Sequence, residues 1–350
     1  MDLSPKAGVT TTSIAIVVAA VVVIGGVAIY FAQASPATNK VTLMLNFAAE
    51  PYHAFAYYGL SQGIYKNSGF DLSIQPGQND GAAIAAVSAG QVQFGLTDTS
   101  NLIDAEATAN ITNVRIVAMI LRSNIFAVIY NSAEIHSVAD LAGKTAGASS
   151  PTNGGISTAL FSIMAEENNV SLSSIHFVYA SAPVHNSLLV TGKVQFVVAA
   201  VHNLPALQAA AASNGIHLGE FDFANYGVNT YGVALITSTQ MIQQHSGEVR
   251  NFVLATMQSL QDTLQSPSAA IAALVASQPQ LNYNQTLAGF RLDQGCCFVK
   301  VGGVSNPLQL GWVNASRMQQ TMDLVTTGLN ITSPINMADI YTDAYVQAPS

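Results

Sequence analysis

Short apolar runs alternate along the chain with stretches of helical spacing, and polar loops separate them. Val41–Leu45 is an unbroken, partly β-branched run, the pattern of a strand covered on both faces. Asn46–His53 is a polar loop. Tyr52, Phe55, Ala56 and Leu60 then recur at helical spacing until Gly63 and Lys66–Gly69 break the pattern, and Phe70–Ile74 is the next strand. The same unit repeats: a helix over Asp80–Ala89, a strand at Gln93–Leu96, a polar loop at Thr97–Asn101, a helix over Asn101–Ala109 and a strand at Val114–Leu121.

A second set begins with a strand at Phe126–Tyr130 and a capping box in which Asp140 reaches back to Ser137. Strands follow at Thr145–Ala148, Ile175–Tyr179 and Phe196–Val201, with helices over Ile156–Glu167 and around Val184–Thr191. Tyr231–Thr237 is expected to return to the first sheet, and Ser238 to the end is helical in pattern. The chain is therefore α/β, one sheet lobe inserted in another. Crossings near Met119–Ile125 and Asn225–Tyr231 would form a hinge about which the lobes close on a ligand.

The amino-terminal pattern differs. Residues 1–12 precede a segment, 13–34, that is long enough to span a bilayer, and the run Ile14–Phe31 carries no charge. Ala32-Gln33-Ala34 also matches a signal-peptidase site, but the length of the run favours a retained anchor. Residues 35–40 then link it to an extracytoplasmic domain. That domain divides into lobe 1 (41–122 and 229–350) and lobe 2 (123–228).

Only 9% of the residues are charged, and the formal charge is −8 with no Lys/Arg cluster, so nucleic acid is excluded as a partner. Five N-x-S/T sequons, at Asn110, Asn169, Asn284, Asn314 and Asn330, are compatible with export. The only cysteines are the neighbours Cys296 and Cys297, which cannot staple a long loop. They are expected to be packed thiols, with a vicinal disulfide or a metal contact as the alternatives.

Ligands of open α/β sheets sit beyond the carboxyl ends of the strands, which makes the polar loops the candidate site. They contribute Asn46, Phe47, Glu50, Tyr52 and His53; Asp98, Thr99 and Ser100; Thr152, Asn153 and Gly154 ahead of a helix amino end; and His202 and Asn203. Tyr226 joins Phe47 and Tyr52 as a stacking face. Asp98, directly beyond a strand tip, is placed to accept a ligand N–H. These loops hold no Lys or Arg, so an anion would depend on helix amino ends and on Arg122 near a crossing, and a neutral or weakly basic ligand fits better. Gly143-Lys144-Thr145 is not a P-loop, because Val138 stands where the motif needs glycine. No His or Cys spacing suits zinc, and no G-x-S-x-G elbow marks a hydrolase.

Read in order, L-N-F-x-x-x-P-Y-H, G-I-Y-K-x-S-G-F-D-L, A-G-Q-V-Q-F-G-L-T-D and S-V-A-D-L-A-G-K-T resemble the substrate-binding proteins for nitrate, alkanesulfonates, taurine and thiamine pyrimidine precursors, over about Val41–Tyr345. The resemblance implies a two-lobed type II periplasmic-binding-protein fold with a hinge and an interlobe cleft, here preceded by one transmembrane helix. It also implies a monomer that delivers its ligand to an ABC permease and its ATPase, without cofactor or metal. The loop Asn46…Pro51-Tyr52-His53 is most similar to the pyrimidine-precursor branch, which carries Asn46, Tyr52 and His53 over as ligand contacts. Nitrate, alkanesulfonate or taurine is the alternative ligand, and a two-lobed sensor domain the alternative class. A related enzyme makes the thiamine pyrimidine from a lysine-bound pyridoxal phosphate, a histidine and a cysteine-rich motif. Its lysine would fall on Thr97 and its histidine on Asn101, and the stretch matching its cysteines, Asn225–Thr230, has none.

Overall fold

The computed structural model describes residues 38–149, 155–300 and 306–349. Among them no helix is long and apolar enough to cross a membrane; the span expected at 13–34 lies outside the described residues, as do Thr152, Asn153 and Gly154.

Strands β1 (Asn39–Met44), β2 (Phe70–Gln75), β3 (Phe94–Asp98), β4 (Val114–Met119) and β10 (Val233–Ser238) form the first sheet, in the order β2-β1-β3-β10-β4. The second contains β5 (Phe126–Asn131), β6 (Thr145–Ala148), β7 (His176–Tyr179), β8 (Phe196–Ala200) and β9 (Leu218–Asp222), in the order β7-β6-β8-β5-β9. In the first sheet β1 runs parallel to β3 while β10 runs antiparallel to β3 and β4. In the second, β6 is parallel to β7 and β8, while β5 is antiparallel to β8 and β9. Both faces of β3, β8 and most of β4 are buried, which is why β8 and most of β4 read as apolar runs; β3 ends instead in the buried Thr97 and Asp98.

The longer helices are α1 (Ala54–Ser61), α2 (Asp80–Ser88), α3 (Thr99–Ala109), α4 (Ile156–Glu167), α5 (Ala182–Val190), α6 (Leu204–Ala212), α7 (Ser246–Gln265), α8 (Pro267–Ser277), α9 (Tyr283–Cys296) and α10 (Ala315–Leu329). Their ends follow local chemistry. Asn79 accepts the Ala82 amide to start α2, and Ser137 and Asp140 close the expected capping box. Four of the five sequon asparagines have a structural task of this kind. Asn110, Asn169 and Asn330 take left-handed backbone angles at helix carboxyl ends, a conformation asparagine tolerates, and Asn314 caps α10.

The chain passes from the first sheet to the second between β4 and β5, and back between β9 and β10. The two crossings are tied together. Asn124 Nδ2 donates to the Val228 carbonyl (2.8 Å) and the Thr230 hydroxyl (3.1 Å). Arg317 on α10 donates to Ser123 Oγ (2.9 Å) and Asn229 Oδ1 (2.7 Å), over the face of Tyr231. Behind them Cys296 and Cys297 form a vicinal disulfide, not the pair of thiols expected from sequence. Adjacent cysteines close no useful loop, but nothing prevents them from bonding to each other. The Cys297 carbonyl accepts the amides of Arg122 and Ser123, so the bridge abuts the first crossing.

Candidate functional site

A cavity of about 560 Å³ opens where the carboxyl ends of β1 and β3 face those of β6 and β7. From the first sheet it is lined by Asn46, Phe47, Glu50 and Tyr52 after β1, by Asn79 and Asp80 at the start of α2, and by Asp98 and Asn101 around the start of α3. From the second it is lined by Ser149, Gly155–Ser157, Tyr179–Ala182, His185, His202 and Asn203, with Ile125, Phe126 and Val198–Ala200 as an apolar patch. Among the described lining residues there is no lysine or arginine.

The first wall is a buried hydrogen-bond network with Asn46 at its centre. Asn46 Oδ1 accepts from the Tyr52 hydroxyl (3.1 Å) and from His53 Nε2–H (2.9 Å), and Asn46 Nδ2 donates to Asp80 Oδ1 (3.1 Å). The His53 tautomer follows, since its Nδ1 accepts the Glu50 amide (2.9 Å) and the proton must lie on Nε2. Burial, helped by the charge of His202, pushes the His53 pKa down to about 3, so the ring is neutral. Asp80 Oδ1 further accepts the Asp98 amide (2.6 Å) and the Thr97 hydroxyl (3.2 Å). Burial raises the Asp80 pKa and these hydrogen bonds oppose the rise.

Asp98 caps α3, its Oδ1 accepting the Ser100 amide (2.9 Å), while its Oδ2 is buried with no hydrogen-bond partner among the described residues. Burial and then the neighbouring Asp80 charge push the Asp98 carboxyl up to about 7, against the lowering pull of Ser100. A buried carboxylate oxygen with nothing to accept is costly, and the residue that carries this one lines the cavity.

The second wall meets the first through His202. Its Nδ1 lies 3.1 Å from Asp293 Oδ1 and its Nε2 3.2 Å from Glu50 Oε2. Burial disfavours the imidazolium, but Asp293 and Glu50 more than offset this and push the His202 pKa up to about 10. Helix α9 can approach this closely because Gly289 faces the His202 carbonyl, where a Cβ would stand 2.6 Å away. Gly77 has the same task on the first wall. It donates to the Phe47 carbonyl (3.1 Å), and a Cβ there would lie 1.9 Å from the Leu45 carbonyl oxygen. Gly77→Ala is therefore expected to displace Asn46 and Phe47 and to cost about 1–3 kcal/mol in urea unfolding. Gly247→Ala, where a Cβ meets nothing within 4 Å, is the matched control and should not.

Of the residues singled out from sequence, Asn46, Phe47, Glu50, Tyr52, Asp98, His202 and Asn203 meet in this cavity. Four others do not line it. His53 is wholly buried beneath Asn46 and acts by orienting it. Thr99 and Ser100 belong to the first turn of α3, because that helix starts two residues before the expected position; the Thr99 hydroxyl donates to the Gly232 carbonyl (2.7 Å). Tyr226 packs edge-on against Phe221, and its carbonyl accepts from Asn168. Arg122, considered for an anion, is turned away, donating to the Gln309 carbonyl and lying over Trp312. Sequence reasoning missed Asp80, Asn79, Tyr179 and His185. Tyr179 was accessible to the same rule that found Asp98, since it ends a parallel strand ahead of a helix.

Similarity to known proteins extends over much of the chain. A formylaminopyrimidine-binding protein from Halalkalibacterium halodurans is 24% identical over 252 residues, 71% of this chain and 73% of that protein. A 4-amino-5-hydroxymethyl-2-methylpyrimidine phosphate synthase from Candida albicans is 33% identical over 70 residues, 20% of this chain and 21% of the synthase. The periplasmic aliphatic sulphonate-binding protein SsuA of Escherichia coli has a TM-score of 0.66 at 14% identity, over 90% of this chain and 94% of that structure. That likeness shows a two-sheet α/β periplasmic-binding-protein fold. The model of NMT1/THI5-like proteins matches residues 50–270, and the chain belongs to that family.

Proposed function

We propose that this protein is the extracytoplasmic solute-binding component of an ABC importer, held to the membrane by 13–34. Residues 41–122 and 229–350 form one lobe and 123–228 the other, and they close on a small ligand that is then delivered to a permease and its ATPase. The favoured ligand is an uncharged or weakly basic compound of the thiamine-pyrimidine-precursor type. The observation that carries this reading is Asp98, a lining residue whose buried Oδ2 has no hydrogen-bond partner among the described residues, in a cavity whose described lining has no Lys or Arg. A nitrate or sulfonate would meet Glu50, Asp80 and Asp98, and the one cation in the described lining, His202, is already engaged by Asp293 and Glu50, whereas a ring N–H or amine finds an acceptor. The similarity to a formylaminopyrimidine-binding protein supports the same choice. Binding without chemistry is the reading for the synthase-like stretch too, because Thr97 and Asn101 stand where the related enzyme needs lysine and histidine.

A thermal-shift screen of the protein against aminopyrimidines, sulfonates, taurine and nitrate tests this. A true ligand at a hundredfold excess over its Kd adds about 2.7 kcal/mol, enough for a clear rise in Tm. A rise with the aminopyrimidines alone is expected; a rise with a sulfonate or nitrate and with no pyrimidine overturns the ligand assignment.

A further inference from the structure

Large apolar side chains that stand in water are ordinary when scattered singly, so they carry information only by where they lie. Phe47 is 40% exposed and Tyr179 is 51% exposed, and both line the same cavity. They come from different sheets. Phe47 follows β1 in the first, with its carbonyl pinned by Gly77; Tyr179 ends β7 in the second. The Tyr179 ring is fixed by a parallel stack on Phe177 (centroids 5.4 Å apart, 3° between planes), and Phe177 itself packs edge-on against the buried Phe161. The third observation is chemical: Asp98, whose Oδ2 is buried and has no hydrogen-bond partner among the described residues, is a lining residue of this cavity as well.

We propose that Phe47 and Tyr179 form an aromatic clamp across the cleft, which selects a planar heteroaromatic ring bearing an N–H or amino group that Asp98 Oδ2 accepts. The inference rests on the binding-protein reading above and deepens it. Ring faces go to the two aromatics, where stacking and loss of exposed apolar surface supply affinity, and the ring edge goes to the carboxylate. Each part alone is undemanding, but together they reject two kinds of competitor. A saturated, puckered cyclic amidine keeps the N–H groups and loses the faces; an unsubstituted arene keeps the faces and leaves Asp98 unpaired.

The test uses the full chain and isothermal titration with 4-amino-5-hydroxymethyl-2-methylpyrimidine, with 2-methyl-1,4,5,6-tetrahydropyrimidine as the puckered comparator. Phe47→Leu and Tyr179→Leu keep apolar bulk at exposed positions, so their Tm should stay near that of the unaltered protein. Each is expected to weaken pyrimidine binding about five- to twentyfold, and to reduce the preference over the comparator by the same factor. Tyr179→Phe should restore it. Tyr179→Trp adds a second reporter, because its fluorescence should be quenched when the ring stacks. Pyrimidine binding by both leucine variants within twofold of the unaltered protein overturns the clamp and leaves the binding-protein reading intact. Failure of the unaltered protein to bind the pyrimidine or any other planar amino-heterocycle overturns both.

Discussion

Asp293→Ala is expected to cost about 3–5 kcal/mol of stability at neutral pH, the largest loss of any single side chain considered, because it leaves an imidazolium buried without its main counter-charge. Asp293 and His202 are both essentially inaccessible, and the histidine is also close to Glu50. The three groups come from different parts of the fold: His202 follows β8 in the second sheet, Glu50 follows β1 in the first, and Asp293 lies on α9. A histidine pKa raised from the ordinary value of 6.5 to about 10 means that the folded state holds its proton more tightly than the unfolded state. The stabilisation is then fully present below about pH 6.5 and is lost as pH rises through 10. Urea unfolding from pH 6 to 10 should show that decline in the unaltered protein. Asp293→Asn, which keeps an acceptor for Nδ1–H and removes the charge, should lower the plateau and shift the decline to lower pH. An unchanged pH profile in Asp293→Asn would sink the assignment.

That pair also marks the limit of what the sequence discloses. His202 could be picked out because it closely follows a strand, a local property, but its partner is 91 residues away on a helix whose pattern says only that it is helical. The same holds for Asp80. Its local role, opening a helix after Asn79, is evident, whereas its three acceptances from Asn46, Thr97 and the Asp98 amide depend on the packing of separate strands. Strands defined by their own burial were legible: β1, β4, β5, β8 and β10 all appear as largely apolar runs. Strand β9 was not. Leu218–Asp222 contains a glycine, a glutamate and an aspartate, and it is extended because β5 offers an edge and because Gly219 lets the Tyr130 ring lie against the backbone. Thr99 and Ser100 were misplaced for a related reason. Threonine, serine and asparagine in succession look like a loop, but Asp98 as amino-terminal cap turns them into helix.

Asp98→Asn is expected to do two opposite things: stabilise the unliganded protein above neutral pH and weaken ligand binding. The carboxyl is raised from 3.8 to about 7 by burial and by Asp80, so the folded state takes up a proton more readily than the unfolded state. Between about pH 4 and 7 stability therefore falls as pH rises, and the full deficit, on the order of 4 kcal/mol, persists above that window. Asparagine removes the charge and can still accept the Ser100 amide through Oδ1, so the cap on α3 survives. At pH 8 the variant should unfold at a higher urea concentration than the unaltered protein, and at pH 4 the two should coincide. In the same samples, an aminopyrimidine should bind about ten- to a hundredfold more weakly, since the oxygen that accepts the ligand N–H is replaced by a donor. Lower stability at pH 8 would show that Asp98 is held by partners and has no unmet charge, and unchanged affinity would remove it from the site. Retaining a carboxylate that destabilises its own fold makes physical sense only if a ligand completes its hydrogen bonding, as stability given up at a binding site commonly does.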